Sequence, residues 1–224
     1  MVTVLLKHYK TPPIDKEEIL RYAGMKQATP EIDALISDCL LEAGPALSYR
    51  VCYGEFPVSI CGDTVNLSFT KTTSCDLAKN LAGCKSIVLF AATVGIGIDR
   101  LVSRYERLSP SRALILTAIG AERIEALCNC FNNEVKKEKE AFGLYTRPRF
   151  SPGYGDLSLE IQTHILSVLD CNRKIGLNLN NSLLMSPTKS VTALIGVGAC
   201  HTKSNADRSC LLCKKTDCEF RRTV

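Results

Sequence analysis

The segment Arg149-Phe150-Ser151-Pro152-Gly153-Tyr154 combines residue types that can bind a small zwitterion. Arginine presents a planar fork of donors suited to a carboxylate, and glycine lets the backbone approach a ligand closely. A tyrosine beside them supplies an aromatic wall and a hydroxyl. Because the same residues are also typical of a simple turn with a packed aromatic ring, residue types alone leave both interpretations open.

Four cysteines near the C-terminal end form a second candidate site. Cys200, Cys210, Cys213 and Cys218 are separated by nine, two and four residues. Spacings of two and four allow thiolates to converge on one tetrahedral ion, and the lysines and arginines nearby favour the thiolate form. The pattern predicts a zinc site or an iron–sulfur cluster, with His201 as the substitute for Cys200. The alternative is a tail with incidental thiols.

Other residues that could do chemistry lack the neighbours that the chemistry needs. The segment Gly95-Ile96-Gly97-Ile98-Asp99 has two of the three glycines of a dinucleotide-binding loop, so a tight strand-to-helix turn is favoured. His8 and His164 have no partners in the sequence, and no Ser-His-Asp or Cys-His order can be recognised. We therefore expect no acid–base catalytic residue.

Hydrophobic spacing predicts the elements that position these candidates. Helices are expected at about 15–24, 30–44, from 99, 110–142 and 158–169, and strands within 49–69 and at about 85–94, 183–185 and 190–197. The charged stretch 134–140 at the end of the long helix is expected to be solvated. Residues 143–156 form the loop that carries Arg149.

Composition restricts the class of protein. The chain has 224 residues, 46% hydrophobic and 23% charged, which suits one domain with a small appendage. Net charge is +5, but six basic against three acidic residues lie in the last 24, so the body is not expected to bind nucleic acid. The longest apolar run, 87–98, is too short to cross a membrane. With no signal-peptide pattern at the N-terminus, a cytoplasmic protein is expected.

Three segments together resemble one protein family. The motif Arg-x-x-x-Gly-Tyr at 149–154 follows a long helix and precedes Met185-Ser186-Pro187-Thr188-Lys189-Ser190-Val191. Ala92-Thr93-Val94-Gly95 ends a predicted strand. This arrangement is similar to the S-adenosylmethionine-binding activation (reactivation) domain of cobalamin-dependent methionine synthase, over about residues 85–198.

The resemblance implies a fold and a set of binding residues. The fold would be α+β, a mainly antiparallel twisted sheet packed with long helices, with the domain at 1–198 and a cysteine-rich tail at 199–224. Arg149 would hold the carboxylate of S-adenosylmethionine. The backbone up to Tyr154, including Pro152 and Gly153, would receive the adenine and ribose. Glu125 would face the sulfonium.

Two acidic residues have simpler interpretations as well. Glu125 could be an exposed helix carboxylate paired with Arg123 or a nearby lysine. Asp15 could match an acidic residue that the family places near the start of the domain, but a capping box with Glu18 explains it adequately.

The function implied by the resemblance is reductive reactivation of cobalamin with S-adenosylmethionine as methyl donor. Cobalamin would be carried by a partner, a cobalamin-binding methionine synthase in split form or another corrinoid protein. A flavodoxin-like or ferredoxin-like protein would donate the electron. The alternatives are an activator of a different corrinoid-dependent methyltransferase and a non-enzymatic module that interacts through its metal-binding tail.

Overall fold

The computed structural model describes residues 2–199, which contain ten strands and seven helices of four or more residues. The strands are β1 (Leu5–Tyr9), β2 (Tyr49–Pro57), β3 (Ser59–Cys61), β4 (Thr64–Asn66), β5 (Lys71–Thr73), β6 (Cys84–Thr93), β7 (Tyr145–Thr146), β8 (Asn178–Leu179), β9 (Met185–Ser186) and β10 (Ser190–Gly198). The helices are α1 (Lys16–Tyr22), α2 (Pro30–Ala43), α3 (Cys75–Asn80), α4 (Gly97–Leu108), α5 (Pro110–Glu140), α6 (Ile161–Val168) and α7 (Cys171–Ile175).

A five-stranded antiparallel sheet forms the centre of the fold, in the order β1-β2-β6-β10-β7. Side chains alternate between the two faces of each strand, and both faces of the central strands are apolar. Val88, Phe90 and Ala92 face one core with α2, α4 and α5, whereas Ile87 and Leu89 face a second core with α3, α6 and α7. The predicted α+β class with a mainly antiparallel sheet is confirmed.

The long helix α5 packs along one face of this sheet. Its apolar stripe is buried, and Phe131 contacts Phe90 of β6 with ring centroids 4.8 Å apart. Burial of this stripe fixes the rotation of α5, because turning the helix would expose the stripe to water. That rotation places Glu125 at the side of the sheet where β10 and β7 lie.

The expectation that residues 134–140 are solvated is wrong at two positions. Glu134 pairs with Lys7 and accepts a hydrogen bond of 2.7 Å from the Tyr9 hydroxyl, and Lys139 lies 2.7 Å from Glu55. The partner of Lys139, Glu55, lies on β2. The reason at Glu134 is β1, an edge strand that the sequence pattern did not indicate. It brings Lys7 and Tyr9 to the end of α5.

The predicted strand-to-helix turn after β6 is confirmed. Gly95 has φ of +85°, in the left-handed region that favours glycine. A Cβ on Gly97 would lie 2.1 Å from the carbonyl oxygen of Ala46. The turn therefore depends on close approach of two backbone segments.

Gly97→Ala is expected to destabilise the protein by at least about 1 kcal/mol, because the added methyl group meets a backbone oxygen that cannot rotate away. Gly44→Ala is the matched control, since Gly44 is helical and a Cβ there meets nothing within 4 Å. Chemical denaturation measures both variants. Equal stability of the two would show that the turn adapts to a side chain.

None of the helices within residues 2–199 has both the length and the apolar character that a membrane crossing requires.

Candidate functional site

An ion pair between α5 and the loop after it forms the centre of the candidate site. The guanidinium of Arg149 pairs with the carboxylate of Glu125 and donates a hydrogen bond of 3.2 Å to the side-chain oxygen of Asn129. Glu125 and Asn129 are one helical turn apart, so both present the same face of α5. The Arg149 side chain is 22% exposed and that of Glu125 35%, which leaves both accessible to a small ligand.

The position of Arg149 is set by strand-like pairing with β10. Phe150 exchanges two backbone hydrogen bonds of 2.9 Å with Leu194, and the Arg147 amide donates to the Gly196 carbonyl at 2.8 Å. Phe150 packs against the core on the α6 side. Since neighbouring side chains in an extended segment point to opposite faces, Arg149 projects toward α5.

The loop from Arg149 to Leu157 is compact. Pro152 is buried, and Gly153, with φ of +85°, donates a backbone hydrogen bond of 2.9 Å to the Leu157 carbonyl. The Tyr154 ring is 60% exposed and meets the Phe150 ring edge-on, with centroids 6.4 Å apart. The loop therefore offers an open aromatic surface next to the ion pair.

Asp156 ties the end of this loop to the start of α3. Its carboxylate accepts hydrogen bonds from the Ser74 hydroxyl, from the Cys75 amide at 2.7 Å and from the Asp76 amide at 3.2 Å. The Ser74 hydroxyl and these amides hold the pKa of the Asp156 carboxyl below its ordinary value. The close approach of the loop to α3 requires glycine at position 155. A Cβ there would clash with the Asp76 carboxylate, at 2.4 Å.

Asp156→Asn is expected to increase hydrogen exchange of residues 150–157 at neutral pH, because the amide side chain accepts these hydrogen bonds less strongly. In the wild type, the lowered pKa means that the contact is complete above the ordinary aspartate pKa and is lost as pH falls through the folded value. Mass-spectrometric exchange measures both effects, with Asp38→Asn on α2 as control. Unchanged loop exchange in Asp156→Asn would contradict the anchoring role.

Three further side chains lie close to the ion pair. Burial raises the pKa of the Cys128 thiol to about 12, with Arg149 and Glu125 near enough to act on it, so this cysteine stays neutral. Burial and then the Glu125 carboxylate also raise the pKa of Tyr22, the last residue of α1. Loss of hydration followed by the same carboxylate raises the pKa of Tyr154. Both tyrosines remain hydrogen-bond donors at neutral pH.

A groove of about 1350 Å³ runs between α1 and α5 and reaches Glu125 and Asn129. Asp15 also lines it, while its carboxylate caps α1 by accepting from the Glu17 amide at 3.0 Å and the Glu18 amide at 3.1 Å. The predicted N-cap role of Asp15 is confirmed, but the reciprocal half of the capping box is replaced, since the Asp15 amide donates to Glu122 and not to Glu18. The groove gives a ligand at Glu125 room to extend along the helix.

The structure brings Glu125, Arg149 and Tyr154 together and rejects one interpretation of Glu125. Arg123 does not pair with Glu125, because its side chain is 1% exposed and points inward to Glu122. The alternative in which Glu125 pairs with Arg123 is wrong, because residues 123 and 125 lie on different faces of one helix.

The segment 185–191 lies beside the end of β6. The Ser190 hydroxyl is 2.8 Å from that of Thr93, and the Val94 amide donates to the Lys189 carbonyl at 3.1 Å. Cys200, Cys210, Cys213, Cys218 and His201 lie outside the described residues. Within residues 2–199, no group of three or more metal-ligating side chains occurs.

Sequence reasoning missed four residues of the site. Asn129 could have been found, since it follows Glu125 by one helical turn in a predicted helix. Cys128 could have been found in the same way, since it follows Glu125 by three residues on that helix. Asp156 lies two residues beyond the Arg-x-x-x-Gly-Tyr motif, but its anchoring contact is with the distant start of α3. Tyr22 carries no local signal, because it reaches the site through the packing of α1 against α5.

The fold and the site define an α+β domain in which a long helix and a loop beside the sheet share an Arg–Glu pair. Comparison with protein families identifies it further. The model of the vitamin B12-dependent methionine synthase activation domain matches residues 72–205, and the chain belongs to this family.

A solved structure described as the MetH reactivation domain bound to AdoHcy is similar to this chain, with a TM-score of 0.62 and 17% sequence identity. The match covers 91% of this chain and 81% of that one. At this identity the likeness establishes the fold. A search of curated proteins found no match.

Proposed function

We propose that this chain binds S-adenosylmethionine at Arg149, Glu125 and the loop to Tyr154, and that it serves in the reductive reactivation of cobalamin in methionine synthase. The observation that supports this most is the Arg149–Glu125 pair, two opposite and accessible charges held on separate elements. The chain belongs to the activation-domain family, and a structural relative is described as bound to AdoHcy.

The ion pair suits a ligand that is itself a zwitterion. Arg149 would bind the carboxylate of the ligand through its fork of donors, and Glu125 would face the sulfonium. A partly exposed ion pair contributes only about 0 to 1 kcal/mol. Breaking the Arg149–Glu125 pair to form two contacts with the ligand therefore costs little free energy. Both charges are neutralised with and without the ligand.

The loop would receive the nucleoside part of the ligand. Buried Pro152 and the hydrogen bond from Gly153 hold the backbone in place, and Gly153 has no side chain to block approach. The exposed ring of Tyr154 offers a flat surface beside this backbone. The residues present therefore fit the adenine and ribose.

The residues of this chain would act by positioning the methyl donor. Cobalamin, when presented to the site, supplies the nucleophile for methyl transfer. Arg149 and Glu125 would fix the direction of the sulfonium, and the loop would limit access of water. Cys128, kept neutral by burial, does not compete as a nucleophile. No proton has to be moved by the protein.

We propose further that cobalamin is carried by a partner, a cobalamin-binding methionine synthase in split form, because the matching family is the activation domain of vitamin B12-dependent methionine synthase. A flavodoxin-like or ferredoxin-like protein would supply the electron. Affinity capture with the full chain under anaerobic conditions tests this, with methylcobalamin formation as the readout. Recovery of a different corrinoid methyltransferase would assign the chain to that enzyme instead.

The cysteines of the tail 199–224 are proposed to bind zinc or an iron–sulfur cluster. Elemental analysis and a visible spectrum of anaerobically purified protein, with Cys213→Ser beside it, decide between them. If the wild type contains neither zinc nor iron, the proposal of a metal site fails.

Calorimetric titration of the full chain with S-adenosylmethionine and S-adenosylhomocysteine tests the binding proposal. Saturable binding of one ligand per chain is expected for both. If neither ligand binds, the proposed function fails.

Glu125→Gln is expected to reduce the preference for S-adenosylmethionine over S-adenosylhomocysteine roughly fivefold, about 1 kcal/mol, since only the sulfonium carries the charge that Glu125 attracts. Glu140→Gln is the matched control on the exposed end of α5. Calorimetry gives both affinities for each protein. An unchanged ratio in Glu125→Gln would make this carboxylate a partner of Arg149 only.

A further inference from the structure

A second concave site lies between the start of α4 and the segment before β2. This cavity of about 590 Å³ is lined by Arg50, Arg100 and Arg104 together with the hydroxyl-bearing Ser48. None of its lining residues, all of which belong to the described part of the chain, is acidic. Three positive charges therefore surround one cavity with no carboxylate in its wall.

The arginines of this cavity are only weakly compensated. The Nε atom of Arg50 is buried and has no hydrogen-bond partner among residues 2–199. A buried donor without an acceptor is unfavourable, so an oxygen bound next to this atom would stabilise the site. Arg104 lies 4.0 Å from the Glu42 carboxylate, which also accepts from Tyr105 at 2.9 Å and Arg112 at 3.4 Å. The Arg104 guanidinium lies 5.5 Å from the centre of the Tyr105 ring.

Asp99, the acidic residue immediately before Arg100, does not compensate the charges of the cavity. The Asp99 carboxylate accepts from the Thr188 amide at 2.8 Å and from its hydroxyl at 2.6 Å. The Arg100 side chain forms no ion pair or hydrogen bond with any residue of the described range 2–199, and its backbone amide donates to the Ile96 carbonyl. Its guanidinium is thus available to an external anion.

The fold holds these arginines in fixed positions on two elements. Arg50 lies on β2 between His8 of β1 and Thr93 of β6 in the register of the sheet. Arg100 and Arg104 are one turn apart on α4, a spacing at which like charges repel. The close approach of Gly97 to Ala46 fixes α4 against the segment before β2. The repulsion is removed when an anion binds between the charges.

We propose that this cavity binds the phosphate group of a small phosphate monoester. Guanidinium forks match phosphate oxygens in geometry and charge. The volume lies within the range of small-molecule sites and exceeds what a single phosphate fills. Ile96 and Leu101 in the wall provide apolar contact for the organic part. The site shares no residue with the Arg149 site, so it is independent of the proposed function.

Calorimetric titration of the full chain with ribose 5-phosphate and with inorganic phosphate, at low ionic strength, tests the proposal. Saturable one-to-one binding of ribose 5-phosphate is expected, with ribose alone not binding. Arg100→Gln and Arg50→Gln are each expected to weaken binding about tenfold or more, the usual effect of losing a charge-assisted hydrogen bond. Arg100 lies on a surface helix, so its variant is informative even if the Arg50 variant does not fold.

Arg107→Gln is the matched control, since it removes the same charge from α4 at an exposed position outside the cavity. Its affinity is expected to change less than twofold. Tighter binding of ribose 5-phosphate than of inorganic phosphate supports the monoester. Binding of inorganic phosphate alone, no binding of either probe, or equal losses in Arg100→Gln and Arg107→Gln overturns the proposal.

Discussion

Arg149→Ala is expected to weaken S-adenosylmethionine binding by about 1.5 to 3 kcal/mol, a factor of roughly 10 to 150, without unfolding the domain. The loss arises because the carboxylate of the ligand no longer meets a guanidinium, and because Glu125 then repels it. The fold is expected to persist, since Glu125 is 35% exposed and is solvated once its partner is removed. Calorimetry measures the affinity, and thermal denaturation verifies folding.

Two further variants separate charge from geometry at this position. Arg149→Lys keeps the charge but removes the fork, so an intermediate loss is expected. Arg173→Ala is the control, since its side chain is 86% exposed and pairs only locally with Asp170. If folded Arg149→Ala binds S-adenosylmethionine as tightly as wild type does, Arg149 is not part of the binding site.

Elements with strong local signals were predictable from the sequence. Asp15 caps α1 as its side chain indicated, Thr29 caps α2, and Pro30 occupies the first helical position of α2. The apolar run of β6 predicted a buried central strand. In each case, residues within a few positions of one another determine the structure.

Elements whose position depends on distant packing were not predictable in this way. In β1, Leu5 and Leu6 are both exposed, so the strand lacks the alternation that marks a half-buried one. The contact between Glu125 and Arg149 requires the correct rotation of α5 and the pairing of Phe150 with β10. The resemblance to a family identified both residues, but only the packing makes them partners.

The clearest such case is a buried pair of oppositely charged residues on α5. Glu122 and Arg123 are 3% and 1% exposed. Arg123 binds the Glu122 carboxylate and donates to the carbonyls of Pro12 at 2.6 Å and Pro13 at 2.7 Å. Burial of Arg123 opposes its charge and lowers its pKa. The Glu122 carboxylate outweighs this effect, so the pKa of Arg123 is raised above its ordinary value.

This pair holds the segment between β1 and α1 against α5. The carbonyls of Pro12 and Pro13 are acceptors that need donors when they are removed from water. Arg123 supplies them, and the Asp15 amide donates to Glu122 at 3.2 Å. The start of α1, and with it one wall of the groove that reaches Glu125, therefore depends on two buried charges.

Arg123→Met is expected to lower the free energy of unfolding by about 3 to 5 kcal/mol, because it leaves the Glu122 carboxylate buried without its partner and two carbonyls without donors. Glu122→Gln is expected to cost less, since its amide still accepts from Arg123 and from the Asp15 amide. Urea denaturation of both variants, with Arg107→Met as an exposed control on α4, gives the values.

The double variant Glu122→Gln, Arg123→Met identifies the source of the loss. If the unpaired carboxylate is the main cost in Arg123→Met, neutralising it restores part of the stability, and the double variant is more stable than Arg123→Met alone. If the double variant is as unstable as the sum of the single variants, the two residues act independently. The cost then lies in the proline carbonyls, and the contact between the charges contributes nothing.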